Sequence, residues 1–311
     1  MAGCDVPHVL ILMATYNGGR FLADQLGSIE GQDHGEWRLL ISDDGSTDGS
    51  RQLIREFMQG RPDGKVTLVE GPGGGAVANF RSLLRRAELQ GSWVAFCDQD
   101  DVWDRDHLSR GLSALRRAQA PLAIYGCRMR ICDEGLRPTG LSPLPTRALG
   151  FRNALVQNVL SGNTMIMTPA AACLLQQAEP EAGPIPVHDW WAYQLVTGAG
   201  GTAILDPEPG ILYRQHGGNV VGANRGAGAL PGRIRRHLSG THLAWARQNS
   251  AALAASLPRL TPGNRRVLTD FTRALKAPWP YRIALLRRSG VHHQGVQARA
   301  AFWLSVAMGR F

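Results

Sequence analysis

Two hydrophobic periodicities alternate along residues 8–125 of this 311-residue chain. Short apolar runs, typical of buried strands, occur at residues 8–13, 37–41, 65–69, 93–97 and 122–125. Between them lie patterns with helical spacing, at residues 20–29, 48–58, 77–88 and 104–118. Such an alternation predicts an α/β fold, in which helices flank a mostly parallel sheet on both faces.

Polar residues follow three of these strands where the apolar runs end. The first strand runs into ATYNGG at residues 14–19, the second into SDDGSTDG at residues 42–49, and the fourth into DQDD at residues 98–101. Ligands of open α/β sheets bind beyond the carboxyl ends of the strands, so we expect the clustered carboxylates of the second and fourth segments to converge on one crevice. Each segment alone also fits ordinary turn chemistry, with Ser46 or Thr47 as one helix N-cap and Asp104 as another.

Clustered carboxylates imply a compensating cation. Like charges this close raise each other's pKa and cost stability when nothing neutralises them. Carboxylates without accompanying cysteines are hard oxygen donors, which suit Mg²⁺ or Mn²⁺ that bridges substrate phosphates. No GxxxxGK[ST] or GxGxxG motif follows a strand, and a bound diphosphate would therefore be held chiefly by this divalent cation.

The net charge of +9 is divided unevenly along the chain. Residues 225–311 hold 15 Lys and Arg against one acid, Asp270, whereas residues 1–224 hold 19 basic and 24 acidic residues. The C-terminal part reads as helices at residues 231–256, 262–276 and 279–308, the last of them broken at Ser289-Gly290.

Arginines mix with aromatic and aliphatic residues in this C-terminal part, as in helices that rest on anionic lipid. An ordinary solvated helical cap explains the same pattern. The arginines concerned are Arg233, Arg235, Arg236, Arg282, Arg287, Arg288 and Arg299.

Neither a membrane span nor a disulfide framework is predicted. The apolar run at residues 9–14 is too short for a signal peptide, and the run at residues 300–308 falls far below the ~20 residues that cross a bilayer. Five cysteines are scattered without a CxxC pair. We expect a cytoplasmic protein in a reducing compartment, peripheral on the inner face of the cell membrane through its basic helices.

Five sequence blocks together resemble a known family. In chain order they are ATYNGGRFLADQLGSI, LLISDDGSTDGS, FCDQDDVW, HDWWAYQL and LYRQHGGN. They resemble family 2 glycosyltransferases of the GT-A fold, and among these the bacterial rhamnosyltransferases that use dTDP-rhamnose. The resemblance covers residues 6–222. It implies a Rossmann-like catalytic domain at residues 1–225, followed by a basic helical extension at residues 226–311.

The resemblance implies a nucleotide site at the first two strand ends. Thr15 and Tyr16 would lie by the pyrimidine of the donor. Asp44, or its neighbour Asp43, would accept a hydrogen bond from the N–H of the pyrimidine ring.

Two residues in GGGAVANFRSLL are further candidates for the nucleotide site. By the resemblance, Asn79 and Arg81 would lie near the ribose and the diphosphate. An exposed helix face explains Arg81 equally well.

The same resemblance implies a metal site in the DQDD segment. Asp98 would face the ribose and the metal, and Asp100 would bind the metal directly. His216, in LYRQHGGN, would be a third ligand, although a lone histidine is more often structural. Asp101 is left with two interpretations, as a partner of the metal ligands or as a residue that starts the next helix.

Asp189, in VHDWWAYQL, matches the position of the catalytic base in such enzymes. One carboxylate is enough when an activated donor is displaced directly with inversion, because the metal stabilises the leaving group. Without the resemblance, a carboxylate at the start of a helix reads as a cap. Trp190 and Trp191 read as core residues or as a stacking surface for a sugar.

The resemblance implies an inverting glycosyltransferase that moves L-rhamnose from dTDP-rhamnose to a saccharide acceptor, in a lipid-linked glycan or in lipopolysaccharide. The alternatives are a UDP-sugar donor, such as UDP-GlcNAc or UDP-galactose, and a non-catalytic binder of nucleotide sugars. The carboxylates Asp98, Asp100 and Asp189 argue against the binder. No nucleic-acid partner is predicted, since no RNP, helix-turn-helix or zinc-finger pattern accompanies the basic tail.

Overall fold

One mixed sheet organises the part of the chain that the computed structural model describes, which is residues 8–86, 88–89, 91–217, 241–309 and 311. Counted over these residues, the sheet has nine strands. They are β1 (Val9–Thr15), β2 (Trp37–Asp43), β3 (Val66–Glu70), β4 (Trp93–Cys97), β5 (Val102–Trp103), β6 (Ala123–Cys132), β7 (Pro138–Leu141), β8 (Ile166–Met167) and β9 (Thr202–Arg214).

Helices lie between and after these strands. They are α1 (Leu22–Glu30), α2 (Ser50–Met58), α3 (Gly75–Arg86), α4 (His107–Arg117), α5 (Phe151–Ala154), α6 (Pro169–Ala178), α7 (His188–Gly198), α8 (Thr241–Ala255), α9 (Pro262–Lys276), α10 (Tyr281–Ser289) and α11 (Val296–Ala307). The predicted alternation is confirmed, because β1 to β4 and α1 to α4 form within a few residues of their predicted ends.

The sheet has a parallel half and an antiparallel half. Its strands run in the order β3-β2-β1-β4-β8-β6-β9-β5, and β7 pairs with β6. Strands β3, β2, β1 and β4 pair in parallel, whereas the β4–β8, β8–β6, β6–β7 and β9–β5 pairs are antiparallel. The sheet is therefore less parallel than expected, because the apolar run after α4 continues as the ten-residue strand β6 and pairs with antiparallel neighbours.

The parallel half positions the three polar strand ends. All seven residues of β1 are buried, as expected for a strand covered by helices on both faces. Its register pairs Thr15 with Asp43 on β2 and Met13 with Cys97 on β4. Because these strands are parallel, the three polar segments leave the sheet at the same edge.

Helix α1 illustrates how the apolar spacing builds the core. Leu22, Leu26 and Ile29 recur at helical intervals and are buried in the same hydrophobic cluster as β1 and β2. Burying each of these side chains contributes roughly 1.5–3 kcal/mol, which holds the helix against the sheet.

The chain divides into two compact units. The described residues of the first unit fall in Met1–Pro143, Leu160–Glu179 and Ile204–Gly217, and those of the second in Leu144–Val159, Pro180–Ala203 and Gly218–Phe311. The domain boundary predicted at residue 225 lies outside the described residues and stays a prediction. Two segments that precede it, 144–159 and 180–203, belong to the second unit.

The basic C-terminal helices form largely where the sequence predicts them. Helix α9 has the predicted bounds, and the predicted helix at residues 279–308 is split into α10 and α11, with Gly290 left-handed at φ 69°. Of the helix predicted at 231–256, α8 is described, whereas the part with Arg233, Arg235 and Arg236 lies outside the described residues. None of the helices that the structure describes is long and apolar enough to cross a membrane.

Candidate active site

One side chain, Gln99, binds the carboxyl end of β1 to the DQDD segment. Gln99 Oε1 accepts hydrogen bonds from Thr15 Oγ1 at 2.6 Å and from the backbone N–H of Tyr16 at 2.9 Å. Gln99 Nε2 donates to the carbonyl oxygen of Tyr16 at 3.0 Å. Thr15 is buried, whereas Tyr16 is 57% exposed. The expected base-binding residues are thus attached to the expected metal segment, and the Tyr16 side chain remains accessible.

Asp43 is buried at the end of β2 and holds the turn that follows. Its carboxylate accepts hydrogen bonds from the backbone N–H of Ser46 at 3.0 Å and from Ser46 Oγ at 2.5 Å. Arg51 Nη1 lies 3.6 Å from Asp43 Oδ2. These contacts give Asp43 a structural role behind the site.

Asp44 binds the glycine-rich loop before α3. Its two oxygens accept hydrogen bonds from the N–H groups of Gly73 at 2.6 Å and Gly75 at 2.7 Å. A carboxylate has lone pairs for about four hydrogen bonds, so both oxygens keep acceptor capacity. Asp44 is partly exposed and Asp43 is not, which makes Asp44 the better placed of the two to accept a hydrogen bond from a ligand.

The expected helix caps are wrong. Neither Ser46 nor Thr47 caps α2, whose N-cap is Gly49, left-handed at φ 89° and without a side-chain cap. Glycine adopts that backbone conformation at little cost. Asp104 does not cap α4 either, because the N-cap of that helix is Asp106. The residue that does contact the start of α2 is Asp48, whose Oδ1 accepts hydrogen bonds from the backbone N–H of Ser50 at 3.1 Å and from Ser50 Oγ at 2.5 Å.

The two candidates on α3 contact other parts of the first unit. Asn79 is buried and donates from Nδ2 to the carbonyl oxygen of Ser42 at 2.9 Å, which supports the end of β2. Arg81 Nε donates to Glu179 Oε1 at 2.6 Å, and Arg85 Nη1 donates to the same oxygen at 2.9 Å. Glu179 is fully buried and depends on these partners. The exposed-face interpretation of Arg81 is wrong, and its contact with a diphosphate stays a prediction.

The predicted metal ligands Asp100 and His216 lie together. His216 Nε2 is 2.7 Å from Asp100 Oδ2, and their side chains are 14% and 17% exposed respectively. A carboxylate and a neutral imidazole are donors that Mn²⁺ accepts, and the carboxylate also suits Mg²⁺, so the pair fits a divalent cation. Among the described residues, no three His, Cys, Asp or Glu side chains are grouped to hold a metal ion. The role of Asp98 as a third ligand stays a prediction.

Asp101 is fully buried and does not start a helix, since it precedes the two-residue strand β5. Its Oδ2 accepts from Asn163 Nδ2 at 2.5 Å, and its Oδ1 accepts from the backbone N–H of Arg214 at 3.1 Å. Burial, with the charges of Asp100 and Asp98, raises the pKa of Asp101 well above its usual value, and these two hydrogen bonds oppose that rise. The helix-start interpretation of Asp101 is therefore wrong, and its role as a partner of the metal ligands stays a prediction.

Asp189 belongs to the second unit, where it is the second residue of α7. The N-cap of α7 is Val187, so Asp189 is not the N-cap, but it lies in the first turn, where a carboxylate interacts favourably with the helix dipole. Asp189 Oδ1 accepts a hydrogen bond from Asn158 Nδ2 at 3.0 Å, and the residue is 7% exposed. Its predicted role as a base stays a prediction.

Trp190 and Trp191 pack in the core of the second unit. Trp190 Nε1 donates to the carbonyl oxygen of Ala154 at 2.6 Å, and its ring meets Trp245 edge-on at 6.1 Å between centroids. Trp191 is equally buried. Burial of both rings favours the core interpretation over a sugar-stacking surface.

A comparison with protein-family models gives one match that covers much of the first unit. The model of Glycosyl transferase family 2 matches residues 10–179, which is more than half of the chain. The chain belongs to glycosyl transferase family 2. The matched residues include the polar ends of β1, β2 and β4.

This glycosyltransferase has a curated relative with a named donor. Over 222 residues it is 29% identical to dTDP-rhamnosyl transferase RfbG of Shigella flexneri. The match covers 68% of this chain and 74% of the relative.

Two solved structures have a similar fold. Mannosyltransferase PcManGT from Pyrobaculum calidifontis, in complex with GDP-Man and Mn²⁺, matches with a TM-score of 0.53 and 22% identity, over 92% of this chain and 87% of that one. Residues 1–349 of TarS from S. aureus, in complex with UDP-GlcNAc, match with a TM-score of 0.54 and 16% identity, over 92% and 93%. The predicted GT-A fold with C-terminal helices is confirmed for this glycosyltransferase.

Three residues that hold the site of the glycosyltransferase are absent from the set predicted by sequence. Gln99 lies inside DQDD and Arg214 inside LYRQHGGN, so both stand in blocks that carried the family resemblance. Their position close to the predicted ligands in the sequence is the signal that could have identified Gln99 and Arg214. Asn163 lies 62 positions from its partner Asp101, and no local pattern marks it.

Proposed function

We propose that this protein is an inverting, metal-dependent rhamnosyltransferase, which transfers L-rhamnose from dTDP-rhamnose to a saccharide acceptor. The observation that carries the proposal is the convergence of three features in the first unit: the accessible Tyr16 side chain, Asp44 and the Asp100–His216 pair. The likeness to dTDP-rhamnosyl transferase RfbG supports the choice of donor.

Tyr16 and Asp44 are proposed to bind the thymine of the donor. The exposed Tyr16 ring offers an aromatic surface for the base. Asp44 keeps acceptor capacity for the ring N–H while it holds the glycine-rich loop. Thr15, Asp43 and Asn79 are buried and would support these two residues from behind.

Asp98, Asp100 and His216 would hold the divalent cation, Mg²⁺ or Mn²⁺. The 2.7 Å pairing of Asp100 with His216 supports this assignment, as does Asp98 two positions earlier in the same segment. Such a cation offsets the charge that grows on the departing diphosphate and so lowers the barrier. His216 would have to bind as neutral imidazole, in place of its hydrogen bond with Asp100.

Asp189 is proposed to accept the proton of the acceptor hydroxyl. Inversion by direct displacement needs one base and no protein acid, provided that the leaving group is neutralised. The hydrogen bond from Asn158 holds the Asp189 carboxylate in one orientation before the acceptor binds. Such preorganisation lowers the entropic cost of proton transfer.

A panel of nucleotide sugars tests the donor and the cation together. Release of nucleoside diphosphate would be measured from dTDP-rhamnose, UDP-GlcNAc and UDP-galactose, each with Mn²⁺, with Mg²⁺ and with EDTA. We expect release from dTDP-rhamnose to exceed that from the UDP-sugars by about tenfold or more, because the base and the sugar must both fit. EDTA should abolish release.

Two variants, a test of the cation site and a matched control, would be measured with the same panel. Asp100→Asn removes a proposed ligand charge and should lose activity, whereas Asp63→Asn makes the same change at an exposed turn and should not. If nucleoside diphosphate were released only from a UDP-sugar, that sugar nucleotide and not dTDP-rhamnose would be the donor. Full activity in EDTA would contradict the cation, and tight donor binding without any release would indicate a non-catalytic binder.

We further propose that the acceptor is a lipid-linked glycan or lipopolysaccharide, reached at the cytoplasmic face of a membrane. Residues 271–311 carry seven Lys and Arg and no acid, and this charge is complementary to anionic lipid. Trp279 and Tyr281, 60% and 70% exposed, offer apolar surface in the same segment.

Two of the arginines expected at the lipid have partners within the second unit. Arg282 donates to the carbonyl oxygens of Ala277 and Phe311. Arg288 pairs with Asp270. Arg287, Lys276 and Arg273 are exposed and are the better candidates for contact with lipid.

A further inference from the structure

Arg214 is a buried arginine that joins three segments of the first unit. Only 3% of the residue is exposed. Its Nε donates to the carbonyl oxygen of Asp100 at 2.9 Å, Nη1 to the carbonyl oxygen of Glu134 at 2.6 Å, and Nη2 to Asp24 Oδ2 at 2.7 Å. These partners lie in the DQDD segment, in the β6–β7 connection and on α1. One planar guanidinium group therefore forms hydrogen bonds to all three segments.

The backbone of Arg214 adds a second attachment to the DQDD segment. Its N–H donates to Asp101 Oδ1 at 3.1 Å, beside the bond from Nε to the carbonyl oxygen of Asp100. Asp100 and Asp101 are consecutive, so the segment is held at two adjacent points. The backbone of Asp100, from which its carboxylate projects, can vary little in position while both bonds persist.

A stack of groups links the same arginine to His216. The guanidinium carbon of Arg214 lies 4.5 Å from the centroid of the Phe21 ring. The imidazole of His216 lies 4.8 Å from that centroid, with 38° between the ring planes. Since His216 Nε2 meets Asp100 Oδ2 at 2.7 Å, the four residues form a closed circuit.

We propose that Arg214 and Phe21 are positioning residues, which hold His216 and Asp100 in the arrangement that receives the divalent cation. The inference rests on the proposed role of that pair as metal ligands. Arg214 orients Asp100 through its carbonyl oxygen, and Phe21 orients the imidazole through its ring face. Residues that orient ligands from behind contribute strongly to metal affinity.

The identity of residue 214 matters to this role. A lysine has one nitrogen and cannot reach the three separate acceptors of Nε, Nη1 and Nη2. A leucine at position 21 keeps apolar volume but lacks the aromatic ring that both the guanidinium and the imidazole approach. Both substitutions therefore loosen the circuit without touching a proposed ligand.

The test measures Mn²⁺ binding to the full chain by calorimetry, with Phe21→Leu and Arg214→Lys beside wild type. We expect the Kd for Mn²⁺ to rise by about 10–100-fold in both variants. Binding of dTDP without metal should change little. A second readout is the ¹⁵N signal of the His216 imidazole in metal-free protein, assigned with His216→Gln, which should shift in both variants.

Arg20→Gln is the matched control. The Arg20 guanidinium carbon also lies over the Phe21 ring, at 5.0 Å, but its side chain is 69% exposed. This variant should keep the wild-type Kd and the wild-type His216 signal. If Arg214→Lys fails to fold, Phe21→Leu alone carries the test.

An unchanged Kd together with an unchanged His216 signal in Phe21→Leu would overturn the inference. Failure of the proposed metal site looks different, because wild type and His216→Gln would then bind Mn²⁺ equally. In that case the metal-free signal of His216 still decides whether Phe21 and Arg214 position the imidazole.

Discussion

Asp189 is held near the start of α7 by the amide of Asn158, 3.0 Å away, and is almost removed from solvent. It is not the N-cap of its helix, a position that Val187 occupies. A carboxylate that is oriented before its substrate arrives suits proton transfer, which depends first on geometry.

The change Asp189→Asn tests this role at a single residue. Asparagine keeps the size of the side chain but cannot accept the proton, so turnover should fall by ~10² to 10⁴-fold. Donor affinity, measured by calorimetry, should stay close to wild type because the expected nucleotide contacts lie elsewhere. Asp63→Asn serves as the control. A loss of donor affinity as large as the loss of turnover would assign Asp189 to the nucleotide site or to folding.

Charge in the DQDD segment is balanced in part by the protein. The sequence places Asp98, Asp100 and Asp101 together and implies a cation to offset them. Arg214 provides a positive charge that is buried beside this segment. Because the Arg214 guanidinium also pairs with Asp24, it offsets only part of the repulsion among these carboxylates.

At the scale of an element, α4 begins with a histidine that is packed as an apolar ring. His107 is fully buried, and its ring lies 4.5 Å from that of Trp103 between centroids. Its Nε2 has no hydrogen-bond partner among the described residues. Burial, with the charge of Arg110, lowers the pKa of His107 from 6.5 to about 3.

This lowered pKa predicts a pH dependence of stability. Between pH 6.5 and about 3, the unfolded chain binds a proton at His107 that the folded protein does not. The free energy of unfolding should therefore fall as the pH falls through this window, by about 1.4 kcal/mol per pH unit from this residue. His107→Phe keeps a ring against Trp103 and should reduce the slope by that amount in urea titrations at stepped pH.

The comparison of wild type with His107→Phe contains its own reference, which is the pH range above 6.5. There His107 is neutral in both folded and unfolded protein, so the wild-type and His107→Phe curves should run parallel. Equal slopes inside the window would show that His107 takes up its proton while folded. His188, whose pKa burial also lowers to about 3, should add a similar slope to both proteins.

At the scale of the whole molecule, charge is concentrated toward the C-terminus. All charged side chains in residues 271–311 belong to Lys or Arg. The most exposed aromatic residues of this stretch are Trp279 and Tyr281. An anionic surface would attract the charges, and the rings would bury apolar area in the interface.

Two double variants separate these contributions in sedimentation with anionic liposomes. Lys276→Gln with Arg287→Gln should weaken binding by about 2 kcal/mol at low salt, at roughly 1 kcal/mol for each charge. Added salt should erase most of that difference, because it screens exposed charges. Trp279→Ala with Tyr281→Ala should also weaken binding, but this difference should persist in salt.

The matched control removes two exposed charges elsewhere, in Arg105→Gln with Arg117→Gln, and should bind liposomes like wild type. Arg282 and Arg288 are left intact, because their partners within the protein would confound the result. Equal sedimentation of wild type and all the double variants would contradict the membrane proposal and favour a solvated helical cap.

Local sequence sufficed for the parallel half of the sheet and for the edge at which its polar turns lie together. The apolar runs of β1 to β4 and the helical spacing of α1 to α4 are short-range signals, because burial on a sheet or a helix imposes a period of about two or 3.6 residues. The turn residues after β1, β2 and β4 then mark the edge where ligands bind. Asp100 and His216, 116 positions apart, were predicted as ligands of one metal only through the family resemblance, and the structure places them 2.7 Å apart.

Tertiary structure decided which polar residue contacts which. Arg81 reads as a surface or diphosphate residue, yet it pairs with Glu179, 98 positions away. Arg214 and Asn163 donate hydrogen bonds to Asp101 from 113 and 62 positions away, and no spacing along the chain predicts either contact. The antiparallel half of the sheet likewise depends on which strands lie side by side. Hydrophobic periodicity indicates which face of an element is buried. Hydrogen bonds between distant residues depend instead on how the elements pack, and no single segment of the sequence determines that packing.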